Sequence, residues 1–151
     1  MIAVLQRVGR ASVTVDGEIA AECGHGFLIL LGVARDDTED DCRVLADKIS
    51  KLRVFQDREG KMNLSLSDVD GSVIVVPNFT LLASYRKGNR PDFFGSAPPD
   101  EAKRLFEFFT SYLSELVPRT GRGIFGADMK VDLLNDGPVT ICMDSKVLLK
   151  K

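Results

Sequence analysis

Residues 2–8 alternate, with Ile2, Val4, Gln6 and Val8 on one side, and residues 11–15 alternate again; a period of two predicts strands. Asp16-Gly17 is strong hairpin chemistry and leads into residues 18–21. Gly24-His25-Gly26 marks another turn, and the unbroken apolar run 27–33 predicts a strand buried on both faces. The period then changes. Cys42, Leu45, Ala46, Ile49 and Leu52 recur at helical spacing, and Thr38 with Asp41 three residues on forms a box-like N-terminal cap. Arg53-Val54-Phe55 begins a short strand that Asp57-Arg58-Glu59-Gly60 stops, and residues 72–79 predict a second fully buried strand.

A second helix opens after Pro98-Pro99, where proline is tolerated and Asp100 and Glu101 suit the positive end of the dipole. Its apolar face is Ala102, Leu105, Phe106, Phe109, Leu113 and Leu116, with Pro118 just beyond its end. Residues 130–134 and 139–143 read as strands flanking Asn135-Asp136-Gly137-Pro138. No repeat, linker or low-complexity tract interrupts the pattern, so residues 1–151 read as a single domain. The expected class is mixed α/β, rich in antiparallel strands, with a curled or barrel-like sheet covered by two main helices.

Composition narrows the chemistry. A chain of 151 residues can bury roughly 70% of its unfolded surface, so it needs neither disulfide nor metal to hold a core. Apolar residues at 44% and charged residues at 28% exclude disordered and fibrous classes. Twenty basic residues against 22 acidic ones give a net charge of -2, which argues against non-specific gripping of long nucleic acid and confines any RNA contact to a local patch. Cys23, Cys42 and Cys142 form no CxxC pair and read as buried free thiols of a reducing compartment. His25, the only histidine, leaves too few soft ligands for zinc. The first residues are interrupted too early for a secretory leader and no run approaches the ~20 residues of a membrane span, so a cytoplasmic location is the default expectation.

Nucleophilic triads fail by inventory, because His25 lies between two turn glycines and no other imidazole exists. Neither a GxSxG elbow nor a Walker loop nor HExxH occurs. An enzyme built from this chain must work through backbone groups and the substrate's own functional groups. Three segments remain. In Val75-Val76-Pro77-Asn78-Phe79-Thr80-Leu81-Leu82 a core strand ends in a polar residue, where backbone N–H groups can point at a ligand; Thr80 as an ordinary strand terminus is the bland reading. Arg86-Lys87-Gly88-Asn89-Arg90 with Phe93-Phe94 suits phosphates and a stacked base, or is a solvated loop. Leu133-Leu134-Asn135-Asp136-Gly137-Pro138-Val139-Thr140 reads as a plain hairpin connection, and its Gly-Pro bond is open to either isomer.

Taken in order, these pieces resemble the D-aminoacyl-tRNA deacylase family. The likeness runs through Ala3-Val4-Leu5-Gln6-Arg7-Val8, Ala11-Ser12-Val13-Thr14-Val15, Leu30-Leu31-Gly32-Val33, Lys61-Met62-Asn63-Leu64-Ser65, Phe79-Thr80-Leu81, Arg86-Lys87-Gly88, Phe125-Gly126-Ala127-Asp128-Met129 and Asn135-Asp136-Gly137-Pro138-Val139-Thr140. It implies a homodimer, a barrel-like sheet, no cofactor and an aminoacyl-tRNA substrate held by its 3′ end. It implies a cis Gly137-Pro138 that reaches the partner's pocket, meets the α-amino group through backbone carbonyls and excludes L side chains. Arg7 would steady that dipeptide, and the amides of Phe79 and Thr80 would hold the ester carbonyl. Asn78 and Met129 complete the expected substrate site, with Lys87 and Arg90 on the tRNA.

This chain departs from the family's usual Ser-Gln in carrying Pro77-Asn78: Pro77 has no N–H and Asn78 is one methylene shorter. A related animal deacylase that clears L-alanine also begins this motif with proline but lacks the phenylalanine kept here, so L-alanyl editing is the rival activity. A non-catalytic nucleic-acid-binding dimer is the rival from another class. For the chemistry, a ribose 2′-hydroxyl that activates water suits a chain without a base, and Thr80 Oγ as nucleophile is the competing version. Glycyl esters, which have no side chain to clash, are expected substrates as well.

Overall fold

In the computed structural model, which describes residues 1–150, one long strand organises the sheet. β1 (Ile2–Val15) turns at Asp16-Gly17, both at positive φ, into β2 (Glu18–Cys23), which pairs with its second half. β3 (Gly26–Gly32) returns antiparallel along its first half. α1 (Glu39–Ser50) follows, then the small hairpin of β4 (Phe55–Gln56) and β5 (Met62–Leu64). β6 (Ser72–Pro77) lies parallel to β3, and after α2 (Pro99–Leu116) β7 (Thr120–Arg122) lies parallel to β6. β8 (Lys130–Asp144) runs antiparallel along β1, and α3 (Ser145–Leu149) ends the described chain. The two ends of the sheet approach each other: a Cβ on Gly121 of β7 would stand 3.4 Å from Ala21 Cβ on β2. The sheet is a nearly closed barrel with helices outside it.

The alternation decides which side each residue serves. Ala3, Leu5, Phe27, Ile29, Leu31, Val73 and Val75 face α1 and α2, while Val8, Val13, Leu28, Ile74 and Val76 fill a second cluster inside the curl. Each fully buried leucine or phenylalanine contributes about 1.5–3 kcal/mol. α1 starts where expected: the Asp41 carboxylate accepts the Thr38 N–H at 2.8 Å and its hydroxyl at 3.1 Å. The same carboxylate accepts from Ser145 Oγ at 2.6 Å, and Ser145 Oγ in turn accepts from the buried Met1 ammonium at 2.8 Å, which also donates to Asp37 at 2.6 Å. The start of β1, α1 and α3 are thereby tied together.

Several expectations are corrected. Residues 130–143 form one strand, because both halves stay on β1; Asn135-Asp136-Gly137-Pro138 runs into a bulge of residues 136–139 and is not a hairpin. The second buried strand stops at Pro77, which has no N–H to extend a ladder, so Phe79 and Thr80 belong to a short 3-10 turn (Phe79–Leu82). Parallel pairs join the antiparallel ones at β3–β6 and β6–β7. Leu116 at the end of α2 is exposed, and so is Cys142, since alternation on β8 turns it outward. Cys42 is the buried thiol: burial first, then Asp37, Asp41 and Glu39, push it up to about 12. No helix among the described residues is long and apolar enough to cross a membrane.

Candidate active site

β6 ends by donating the Asn78 N–H to Leu31 O at 2.8 Å, and the chain then tightens into the 3-10 turn. The first amide to bond back is that of Leu81, to Asn78 O at 3.4 Å; Ala83 N then reaches Thr80 O at 3.2 Å. The amides of Phe79 and Thr80 therefore have no partner within the turn, as the opening N–H groups of any helical turn do not. Both residues are exposed. The turn itself is held: Ser96 Oγ donates to Phe79 O at 3.2 Å, and the Phe79 ring meets Phe93 edge-on with centroids 4.9 Å apart. Below it Gly32 permits close approach, since a Cβ there would stand 3.1 Å from Asn78 O. The Thr80 hydroxyl donates to Asn78 Oδ1. A carboxamide oxygen is no base, so this contact orients the hydroxyl without activating it.

Between this turn and the segment Phe125-Gly126-Ala127-Asp128-Met129 lies a pocket of about 290 Å³. Its walls are mostly apolar, from Leu31, Val33, Ala102, Phe125 and Met129, with Asn78, Phe79 and Ser96 at the polar end. Met129 is seated by Gly123, where a Cβ would come within 2.6 Å of its Sδ. Asn78, Phe79 and Met129 thus share one cavity, and Thr80 follows in the same turn.

The other predicted residues gather elsewhere. Register runs Gln6 to Thr140 and Val8 to Asn135, so Asp136, Gly137, Pro138 and Val139 stand opposite Arg7 alone. The Gly137-Pro138 peptide is cis, and Gly137 has φ +133, a region that favours glycine. Arg7 is 4% exposed; its Nε donates to Asp136 O at 3.1 Å and its Nη1 to Val54 O at 2.6 Å. Its Nε also lies 3.4 Å from the Asp136 carboxylate. Arg7, Gly137 and Pro138 are therefore together, but no residue of the bulge lines the pocket of the same chain.

Paired amides of Ser84 and Asp92 (2.8 and 2.9 Å) close the loop 85–91. Lys87 and Arg90 are exposed there, and among the described residues neither forms an ion pair. His25 packs edge-on against Phe55 (5.0 Å) and its carbonyl accepts the Ser72 N–H, so it serves the turn before β3. No group of His, Cys, Asp or Glu among the described residues is placed to hold a metal ion. Sequence reasoning missed Ser96, Gly32 and Asn135. Ser96 carries no local signal, and the Asn135 signal was absorbed into turn chemistry.

Residues 4–144 match the family model described as D-Tyr-tRNA(Tyr) deacylase. The chain is 54% identical over 148 residues to the D-aminoacyl-tRNA deacylase of Anaeromyxobacter dehalogenans (strain 2CP-C), covering 98% of this chain and 99% of that one. It is 52% identical over 146 residues to the D-aminoacyl-tRNA deacylase of Caldicellulosiruptor saccharolyticus, covering 97% and 98%. Among solved structures, a c-Myc DNA unwinding element binding protein is 40% identical with a TM-score of 0.90, over 95% of this chain and 98% of that one. A structure described as a probable eukaryotic D-amino acid tRNA deacylase superposes with a TM-score of 0.82 at 16% identity, over 94% and 97%, which speaks to the fold alone.

Proposed function

This chain belongs to the D-Tyr-tRNA(Tyr) deacylase family and is a hydrolase of aminoacyl-tRNA esters, and from that premise we propose that it is a chiral proofreader. It clears D-aminoacyl and glycyl groups from tRNA in the cytoplasm, working as a homodimer of chains that each form one catalytic unit. The observation that carries this is a pair of backbone amides, of Phe79 and Thr80, left without partners in a 3-10 turn whose first residue lines an apolar pocket with no side-chain base in its lining. The pocket receives the terminal adenosine and the start of the aminoacyl group, with Met129 on its wall. Phe79 and Thr80 N–H groups polarise the ester carbonyl, a device in which each donor is worth about 3–4 kcal/mol. The ribose 2′-hydroxyl activates the attacking water.

Gly137 and Pro138 act on the other copy's pocket, in keeping with their absence from the lining of this pocket in their own chain. There they meet the α-amino group and clash with an L side chain, a rejection that glycine escapes. Arg7 holds them in place, and Lys87 and Arg90 take phosphates of the single-stranded acceptor end. Thr80 Oγ as nucleophile is disfavoured because its one hydrogen-bond acceptor among the described residues, Asn78 Oδ1, is no base. Hydrolysis of D-tyrosyl, L-tyrosyl, L-alanyl and glycyl tRNA, each with and without the terminal 2′-hydroxyl, tests the whole scheme. Cleavage of D-tyrosyl and glycyl esters only, abolished in 2′-deoxy substrates and mostly retained in Thr80→Val, is expected. Efficient cleavage of the L-tyrosyl ester would refute the filter, and preference for L-alanine would transfer the activity to the rival that Pro77 suggests.

A second reading draws on the 40% identical DNA unwinding element binding protein. Duplex binding that falls steeply with salt would favour it, and the chain's net charge of -2 weighs against it.

A further inference from the structure

At the neck of the bulge one side chain, that of Asn135, has no part in the scheme above. Asn135 sits where the chain leaves the β1 ladder, paired with Val8, and Thr140 sits where it returns, paired with Gln6. The Asn135 Nδ2 donates to Arg7 O at 3.1 Å on the facing strand and to Val139 O at 3.0 Å on the returning arm. Its Oδ1 faces the Thr140 hydroxyl at 3.5 Å. A single carboxamide thus spans the neck of the loop in all three directions.

We propose that Asn135 is a positioning residue that clamps the neck of this bulge and so fixes Gly137 and Pro138 for discrimination between D- and L-aminoacyl esters. The inference rests on the deacylase reading, and it is particular to the bulge. Four residues opposite one leave the regular ladder broken at Arg7, so something other than β-pairing must hold the two arms. Arg7 grips the loop with its side chain, through Asp136 O, and Asn135 grips the main chain of that same Arg7. The guanidinium and the loop that it supports are therefore locked into one frame.

The chemistry of the residue matters. Two carbonyl oxygens lie within 3.1 Å of one nitrogen, and a primary amide supplies a proton to each. Aspartate has the same shape but turns acceptors towards acceptors. A filter that works by clash needs a rigid tip, because a loose one yields to the L side chain.

The full-length Asn135→Asp and Asn135→Ala variants test this, with Asn135→Ser, which keeps a single donor, as the milder change. Two readouts are needed: amide hydrogen exchange at residues 136, 137 and 139, and kcat/KM for D-tyrosyl-tRNA over L-tyrosyl-tRNA. Exchange should quicken and the D:L ratio should fall, each by about tenfold or more, the scale of two lost neutral hydrogen bonds. Asn135→Ser should fall between these variants and the wild type. The fall should come from a gain on the L-ester, which a merely weakened fold would not produce. Unchanged exchange would overturn the clamp, and faster exchange with an unaltered ratio would overturn its role in selection. A wild-type protein inactive on D-tyrosyl-tRNA would sink the deacylase reading, and the exchange measurement would still decide the clamp.

Discussion

Replacing Gly32 with alanine tests the amides of Phe79 and Thr80 without altering either residue. The added Cβ would stand 2.5 Å from Leu82 Cδ2 and 3.1 Å from both Asn78 O and Leu81 Cβ. Carbon contacts settle at about 3.5–4.0 Å, so the Leu82 tip must move by about 1 Å, which a rotamer change supplies. The contacts to Asn78 O and Leu81 Cβ have no such freedom and are relieved by lifting the turn a few tenths of an ångström. Overpacking of this kind costs about 1–3 kcal/mol of stability. A misplacement of about 1 Å costs about 10²-fold in rate, so a few tenths should lower kcat by about three- to tenfold with KM nearly constant. Single-turnover hydrolysis of D-tyrosyl-tRNA and a urea melt measure the two effects separately. Gly121→Ala is the control: its Cβ meets Ala21 Cβ at 3.4 Å, an ordinary contact remote from the turn, and the rate should not change. A Gly32→Ala protein that loses stability but keeps the full rate would refute the placement of the ester carbonyl on these amides.

Arg7→Met should cost about 2–5 kcal/mol in a urea melt, because Val54 O and Asp136 O lose a charged donor inside the protein, and it should lower the D:L ratio; an unchanged ratio would separate Arg7 from selection. The Lys87→Ser/Arg90→Ser double variant should raise KM for tRNA with kcat intact. It should also flatten the plot of log affinity against log salt by about 1.4, at about 0.7 per cation on a single strand. Burial pushes the Asp41 carboxyl up, but hydrogen bonds from Ser145, Thr38 and Lys146 outweigh this and bring it from 3.8 to about 2. A carboxyl lowered on folding stabilises above its unfolded value and loses that contribution as pH falls through the folded one. Stability should therefore drop by about 1–2 kcal/mol, allowing for screening, between about pH 4 and pH 2. Thermal melts across that range should show a shallower drop for Ser145→Ala, and parallel curves would refute the assignment.

How much of this was visible in the sequence depends on whether a signal was local. β1 and both long helices follow from period, because burial repeats every two or 3.6 residues along them, and β3 follows from its unbroken apolar run. β7 is three residues, Thr120-Gly121-Arg122, and has no period to read; its place comes from pairing with β6. The bulge shows the same limit. Asn-Asp-Gly-Pro is locally a hairpin turn, and only the 14-residue length of β1, which retains both arms of β8, makes it a bulge. Thr80, Gly137 and Asn135 are ordinary residues in composition, so the candidate site was legible through resemblance, and its hydrogen bonds only through the fold.

The separation of the two clusters within one chain leads to a test by mixing. A pocket defect is available in Phe79→Pro: Asn78 before it (φ -146, ψ 90) already lies outside the α region that a following proline disfavours, and the first position of a helical turn accepts proline. The change deletes one amide donor and should lower kcat by about 10²-fold or more. A bulge defect is available in Gly137→Ala, where a Cβ would sit 2.8 Å from Val139 Cγ2 and 3.0 Å from Val139 N at a φ of +133. Each protein alone should discriminate or hydrolyse poorly. If each bulge serves the other copy's pocket, a mixed dimer pairs the sound pocket of the Gly137→Ala chain with the sound bulge of the Phe79→Pro chain. Random exchange makes half of all dimers mixed, with one good site of two, so selective D-tyrosyl hydrolysis should return to about a quarter of the wild-type level. Were pocket and bulge to act within one chain, every site in the mixture would still carry a defect, and mixing would restore nothing.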